Sequence, residues 1–284
     1  MKDTAFVILN QRYEDPAIVS LTSFFRFNRH IPLICYLEKG GDFSRLRQAL
    51  SGYPVRFEDI VFPEEPIFRT CGGDWLLINR SALPAISARV RMLEELSAEY
   101  DRIVNFDLDT LFCNSISGVM NVADAVHVYG VDEKENRKRW TTAFGLQEWI
   151  HGEFYFNTGF VVYGGRLLRN RPLYDDYIRM MEAHPERFSC PEQDYLNCVF
   201  HNDFVRIRPS YNMLFQDRAY TETAPVMIHF YGPDKPWSPE GVFAGKTGFY
   251  NRRYANYVAS IRNMLSDEFV RIVAGNAGKG GVLV

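Results

Sequence analysis

Arg102-Ile103-Val104-Asn105-Phe106-Asp107-Leu108-Asp109 runs from an apolar stretch straight onto two carboxylates one residue apart. The apolar part reads as a buried strand. In open α/β sheets ligands bind beyond the carboxyl ends of the strands, which is where Asp107 and Asp109 fall. Two hard oxygen ligands there suit Mg or Mn better than zinc. Aspartates that only shape a turn would produce the same spacing, so spacing alone leaves both readings open.

Outward from this strand, strand and helix patterns alternate. Residues 5–9 form an apolar run. Asp15-Pro16 then offers an N-cap and a proline at the first helical position, opening a helix through Phe27. Residues 32–37 read as a second strand, 43–50 as a short helix and 53–57 as a third strand. Residues 59–80 carry Pro63, Pro66, Gly72 and Gly73 and read as a loop. Ser81 caps a helix to about Ala98, and the strand 102–106 follows. This order implies a mostly parallel sheet between layers of helix.

In the second half, residues 126–131 and 154–163 read as strands, and 167–182 and 192–200 as helices. Residues 251–273 read as one amphipathic helix packed on the core. Three stretches lack periodicity: 132–152, 209–225 and 238–248. Long irregular segments in a compact domain are usually lids or disordered. The first is dense in charge from Glu133 to Arg139 and holds Trp140 and Trp149. It is expected to lie at the surface, as an ordinary solvated loop or as a mobile lid over the acceptor side with the tryptophans on a saccharide or the closed domain.

Composition narrows the function. The 284 residues suffice for one large α/β domain or two small ones. With 46% hydrophobic and 24% charged residues the chain is not mostly disordered. A net charge of −3 gives no electrostatic footprint for nucleic acid. No apolar run approaches the ~20 residues that span a bilayer, and residues 1–9, with no small-residue cleavage site, are expected to form a first strand and not a signal peptide. Five scattered cysteines without a CxxC pair favour reduced thiols, and hence a cytoplasmic setting.

Three more segments carry chemistry. His229-Phe230-Tyr231-Gly232-Pro233-Asp234-Lys235-Pro236-Trp237 follows the apolar run 226–228. A histidine at a strand end can complete an oxygen-rich metal site. Gly232 lets backbone approach a phosphate, and Lys235 supplies positive charge. Phe156-Asn157-Thr158-Gly159 sets an amide inside an apolar strand, where it needs a structural partner or a ligand. Pro191-Glu192-Gln193-Asp194 opens a helix with acids, which also favour the positive helix end.

Taken in order, Asp107-x-Asp109, Phe156-Asn157-Thr158-Gly159, Glu192-Gln193-Asp194 with Leu196-Asn197, and His229-x-x-Gly232-x-x-Lys235-Pro236-Trp237 resemble glycosyltransferase family 8. These are retaining GT-A enzymes that include bacterial lipopolysaccharide hexosyltransferases and glycogenin. The resemblance covers roughly residues 4–240. It implies a single GT-A-type, Rossmann-like α/β domain over residues 1–250, with 251–284 as a C-terminal helix and tail. It implies Asp107, Asp109 and His229 as ligands of Mn2+ (or Mg2+), with Asp107, Gly232 and Lys235 at the donor diphosphate. Asn10 and Tyr13 match the positions that bind and stack uracil. Arg89 matches the donor-binding arginine, with Arg91 as a rival. Asn157, Glu192 and Gln193 match the donor-sugar and anomeric-carbon contacts. Glu192 stands where the family usually has Asp.

The function implied is metal-dependent transfer of a hexose from a UDP-sugar to a hydroxyl acceptor, with retention. The partners implied are that donor and a carbohydrate or glycolipid acceptor, in the cytoplasm; peripheral contact with the inner face of a membrane stays open. An inverting transferase on the same scaffold stays open, and two alternatives outside glycosyl transfer remain. One is a sugar-nucleotide or glycan-binding protein without turnover. The other is a nucleotidyltransferase, which needs a glycine-rich loop after the first strand; this chain has Asn10-Gln11-Arg12-Tyr13 there.

Overall fold

In a computed structural model, the residues described are 1–69, 82–133, 145–150, 154–214, 224–232, 235–238 and 245–279. Ten strands are described: β1 (Asp3–Leu9), β2 (Leu33–Glu38), β3 (Val55–Ile60), β4 (Arg102–Phe106), β5 (Thr110–Phe112), β6 (Val128–Asp132), β7 (Phe156–Gly164), β8 (Phe204–Arg206), β9 (Met213–Leu214) and β10 (Met227–His229). The helices used below are α1 (Glu14–Phe27), α2 (Ser44–Ala49), α3 (Leu83–Ser97), α4 (Ser117–Met120), α5 (Gly165–Leu168), α6 (Leu173–Ala183), α7 (Pro191–Phe200), α8 (Gly245–Ser260) and α9 (Asp267–Lys279).

The main sheet has seven strands in the order β3-β2-β1-β4-β7-β6-β8. Its first four strands are parallel. β7 runs antiparallel between β4 and β6, and β8 is parallel to β6. The architecture is thus the expected mostly parallel α/β sandwich. Alternation along β1 covers both faces: Ala5, Val7 and Leu9 pack in one apolar cluster with α1, and Phe6 packs in the other with α3. Burial of Val7, Leu9 and Phe6 contributes about 1.5–3 kcal/mol for each side chain.

A second sheet, β5-β10-β9, lies beyond the end of β4. Phe24 of α1 stacks on Phe106 at 5.0 Å, and Phe106 meets Phe112 edge-on at 5.0 Å. These rings hold α1 under the β4–β5 junction, where both aspartates sit.

Several local expectations need correction. Asp15 does not cap α1: the helix begins at Glu14 with Tyr13 at the cap position. The Asp15 carboxylate instead pairs with Arg45 and accepts hydrogen bonds from Ser266. The helix expected over 167–182 is two, α5 and α6, because Asn170 turns left-handed (φ 66) and Pro172 has no N–H to continue the ladder. The last helix also divides. Leu265 is extended and Ser266 accepts the Phe269 N–H, so Ser266-Asp267-Glu268 starts α9 afresh. Its burial is as expected, with Tyr254, Val258 and Val273 in the core. The third strand lies two to three residues later than expected. Ser81, Trp140 and most of the irregular stretches lie outside the described residues.

Candidate active site

The backbone that carries the two aspartates is tied on both sides. Asp107 N–H donates to Gly159 O of β7 at 3.0 Å, and Phe230 N–H donates to Asp109 O at 2.8 Å. Thr110 Oγ1 donates to Asp107 O at 2.8 Å. His229, the last residue of β10, pairs across the second sheet with Thr110. Its Nε2 therefore lies 3.5 Å from Asp107 Oδ2 and 3.2 Å from Asp109 Oδ1. The three ligand atoms fall within 4.8 Å of one another.

A chain of amides fixes which nitrogen of His229 faces the aspartates. Gly159 N–H donates to Asn157 Oδ1 at 2.9 Å, so that atom is the amide oxygen. Asn212 Nδ2 donates to the same oxygen at 2.8 Å, which leaves Asn212 Oδ1 to accept from His229 Nδ1 at 3.0 Å. A proton is thus held on Nδ1, and Nε2 is the ring atom that faces the two carboxylates. Buried partners of this kind set the ring orientation and tautomer of metal-binding histidines. Two hard carboxylates and one imidazole fit Mn or Mg. Gly159 makes room for it: an added Cβ would lie under 3.0 Å from the His229 ring and 2.8 Å from Asn157 Oδ1.

Lys235 Nζ pairs with Asp109 and donates to Phe230 O at 2.6 Å. Burial opposes ionisation of Asp109, but Lys235 and His229 outweigh it and hold its carboxyl below the usual range. Gly232 has φ 83, a left-handed turn that suits glycine and brings the chain back toward this point.

Beside the metal-type cluster lies a second group of polar residues. Arg89 of α3 pairs with Asp107 and, at 3.1 Å, with Glu192 Oε1. Arg91 is exposed and pairs with Glu95, so Arg89 alone of the two reaches the site. Glu192 Oε2 accepts from Thr158 Oγ1 at 3.1 Å. Burial and then Asp107 raise the Glu192 pKa against the pull of Arg89. Gln193 Oε1 accepts from Thr158 N–H at 3.0 Å and Asn157 Nδ2 at 3.2 Å. Its Nε2 donates to Glu133 Oε2 and Tyr155 OH, both at 3.1 Å. Tyr155 OH donates in turn to Asp194 Oδ1 at 2.5 Å. The carboxamide of Gln193 is therefore held from every side.

Glu133 was expected at the surface and is buried, because the amides of Asn157 and Gln193 donate to its carboxylate. Of the two surroundings expected for the tryptophans, Trp149 has the domain: it stacks on Phe188 at 6.1 Å, with Arg187 over its ring. Asn10 and Tyr13 follow β1 at the same end of the sheet. Asn10 Oδ1 is buried with no partner among the described residues, an acceptor left for a ligand N–H. Tyr13 packs its ring edge-on to Trp237 at 6.3 Å.

A family model described as glycosyl transferase family 8 matches residues 7–241. The chain belongs to this family. It is a glycosyltransferase. A curated relative, general stress protein A of Bacillus subtilis (strain 168), is 22% identical over 154 residues, covering 48% of this chain and 53% of that protein. The match thus spans about half of the relative's length. Among solved structures, the galactosyltransferase LgtC with donor and acceptor sugar analogues superposes with TM-score 0.71 at 18% identity, covering 95% of this chain and 99% of that one. GlyE of Streptococcus pneumoniae TIGR4 gives 0.61 at 16% identity, covering 96% and 63%. Mouse xyloside xylosyltransferase 1 gives 0.55 at 15%, covering 80% and 97%. At these identities the likeness is one of fold. Among the described residues no helix is long and apolar enough to cross a membrane.

Sequence reasoning missed Glu133, Asn212 and Tyr155, and gave Gly159 no role. Only Gly159 and Tyr155 left a signal, as neighbours of the singled-out Asn157. Asn212 sat in a segment without periodicity, although it is fully buried.

Proposed function

We propose that this glycosyltransferase moves a hexose from a UDP-sugar to a hydroxyl of a carbohydrate or glycolipid acceptor, with retention, using Mn2+ held by Asp107, Asp109 and His229. The observation that carries the proposal is the fixed orientation of His229, which aims Nε2 at two carboxylates. A divalent ion bound there supplies Lewis-acid stabilisation of the charge on the leaving diphosphate.

The other roles belong to the chain's own groups. Lys235, released from Asp109, pairs with the diphosphate, and the Gly232 turn brings backbone beside it. Asn10 accepts from the uracil and Tyr13 flanks it. Arg89, held by Glu192 and Asp107, orients the donor. Gln193, Asn157 and Glu133 surround the sugar, where carboxamide and carboxylate oxygens can stabilise an oxocarbenium-like state, as in glycoside hydrolysis. Glu192, with both oxygens occupied, acts chiefly through Arg89 and Thr158. The reading is tested by offering a panel of UDP-hexoses with Mn and determining the anomeric configuration of the product. An axial product from an α-linked donor is expected; turnover of no UDP-hexose, with or without acceptor, refutes the donor class.

A further inference from the structure

The segment that carries Lys235 is held from outside the family-matched region. Asn276, on α9 and buried, donates both hydrogens of its amide: to Pro236 O at 3.0 Å and to Ser238 O at 2.7 Å. One side-chain nitrogen thereby bridges two carbonyls two residues apart. Within the turn, Ser238 N–H donates to Lys235 O at 3.0 Å and Lys235 N–H donates to Ser238 Oγ at 3.2 Å. Between these bonds sits Trp237. Its ring packs on Tyr254 of α8 at 5.2 Å and on Phe269 of α9 at 6.1 Å, and its other neighbour is Tyr13.

The two helices are themselves moored. Tyr254 meets Phe230, the residue after His229, at 5.1 Å. Ser266, at the start of α9, donates to Asp15 of α1 through N–H at 3.0 Å and Oγ at 2.7 Å. Asp15 in turn pairs with Arg45 of α2. A path of contacts, half-buried at Asp15 and Ser266, thus runs from the main domain through α9 to the Lys235 turn.

We propose that α8 and α9 act as a clamp on this turn, and that Asn276 is a positioning residue that sets Lys235 for the donor diphosphate. The proposal rests on the UDP-sugar reading above. A lysine is a point charge on a flexible stem, so its value as a fixed cation depends on where its backbone is held. A carboxamide offers two donors on one nitrogen without carrying a charge, and its planar group suits two carbonyls in a fixed turn. Loss of Asn276 frees the turn while leaving the side chains of Asp107, Asp109 and His229 in the chain. The expected cost therefore falls first on the diphosphate.

The test uses the full chain and calorimetric titration with Mn present, comparing UDP with UMP. In Asn276→Leu, which keeps the size and removes both donors, UDP binding is expected to weaken about tenfold and UMP binding to change less than twofold. In a Lys235→Ala background the same change is expected to cost less than twofold, because the residue it positions is gone. Ser238→Ala, which removes the hydroxyl on Lys235 N–H and leaves the helix intact, is expected to act in the same direction and to lose its effect in the same background. It serves if Asn276→Leu does not fold. Equal losses for UDP and UMP, equal losses in both backgrounds, or no loss from either variant overturns the clamp. A wild-type chain that binds neither nucleotide overturns the donor reading itself.

Discussion

Replacing Gly159 by Ala should remove His229 from the metal position while leaving its identity intact. The new Cβ would lie less than 3.0 Å from the imidazole, where ordinary contacts begin at 3.4 Å. The ring has to retreat by roughly 1 Å, since the strand behind Gly159 is fixed by the Asp107 N–H···O bond. Metal–ligand distances tolerate only about 0.2 Å, so a shift of that size takes one of three protein ligands away. The same Cβ crowds Asn157 Oδ1, which orients Asn212 and hence the His229 tautomer. Loss of orientation alone costs about 10- to 100-fold in metal affinity, and the overpacking about 1–3 kcal/mol of stability. Mn2+ affinity followed by electron paramagnetic resonance, alongside urea unfolding, measures both. A folded Gly159→Ala protein that binds Mn2+ as tightly as wild type refutes the reasoning.

Three further outcomes are expected. Lys235→Met should bind Mn2+ more tightly than wild type when no nucleotide is present, because Lys235 competes for Asp109; titration of the metal alone checks this, and weaker binding contradicts it. Glu192→Gln should lower kcat about 10- to 100-fold with little change in donor KM, and cost about 3 kcal/mol of stability by breaking the buried pair with Arg89; a change confined to KM makes Glu192 a ground-state contact. Burial, opposed by Tyr155 and the Cys190 and Ser189 amides, raises the Asp194 pKa from 3.8 to about 6. The folded chain then binds the extra proton, so this group's contribution is full below about pH 4 and is lost as pH rises through 6. The loss is at most about 3 kcal/mol, read as the pH-dependent difference in unfolding free energy between wild type and Asp194→Asn.

The sequence made some elements plain and hid others for physical reasons. Residues 102–106 carry a strand signal that nothing competes with, and β4 has those bounds. Asp107, Asp109 and His229 were legible because each follows an apolar run, and strand ends converge in this fold. Residues 167–182 and 251–273 kept helical periodicity across breaks set by a proline and by a serine cap, so two helices looked like one. Glu133 was hidden by its neighbours: it begins a charged run, and only the fold brings the amides of Asn157 and Gln193 to its carboxylate. Asn212 ends a short turn of 3-10 helix and precedes a two-residue strand, too little for any periodicity.

The central claim is that Asp107, Asp109 and His229 hold a divalent ion that the transfer requires. Release of UDP from UDP-hexoses tests it most directly, measured after chelation with EDTA and again after Mn2+ is returned. The account predicts that release stops on chelation, returns with Mn2+, and stays absent on Mn2+ addition in Asp109→Asn. Full UDP release in excess EDTA would contradict it.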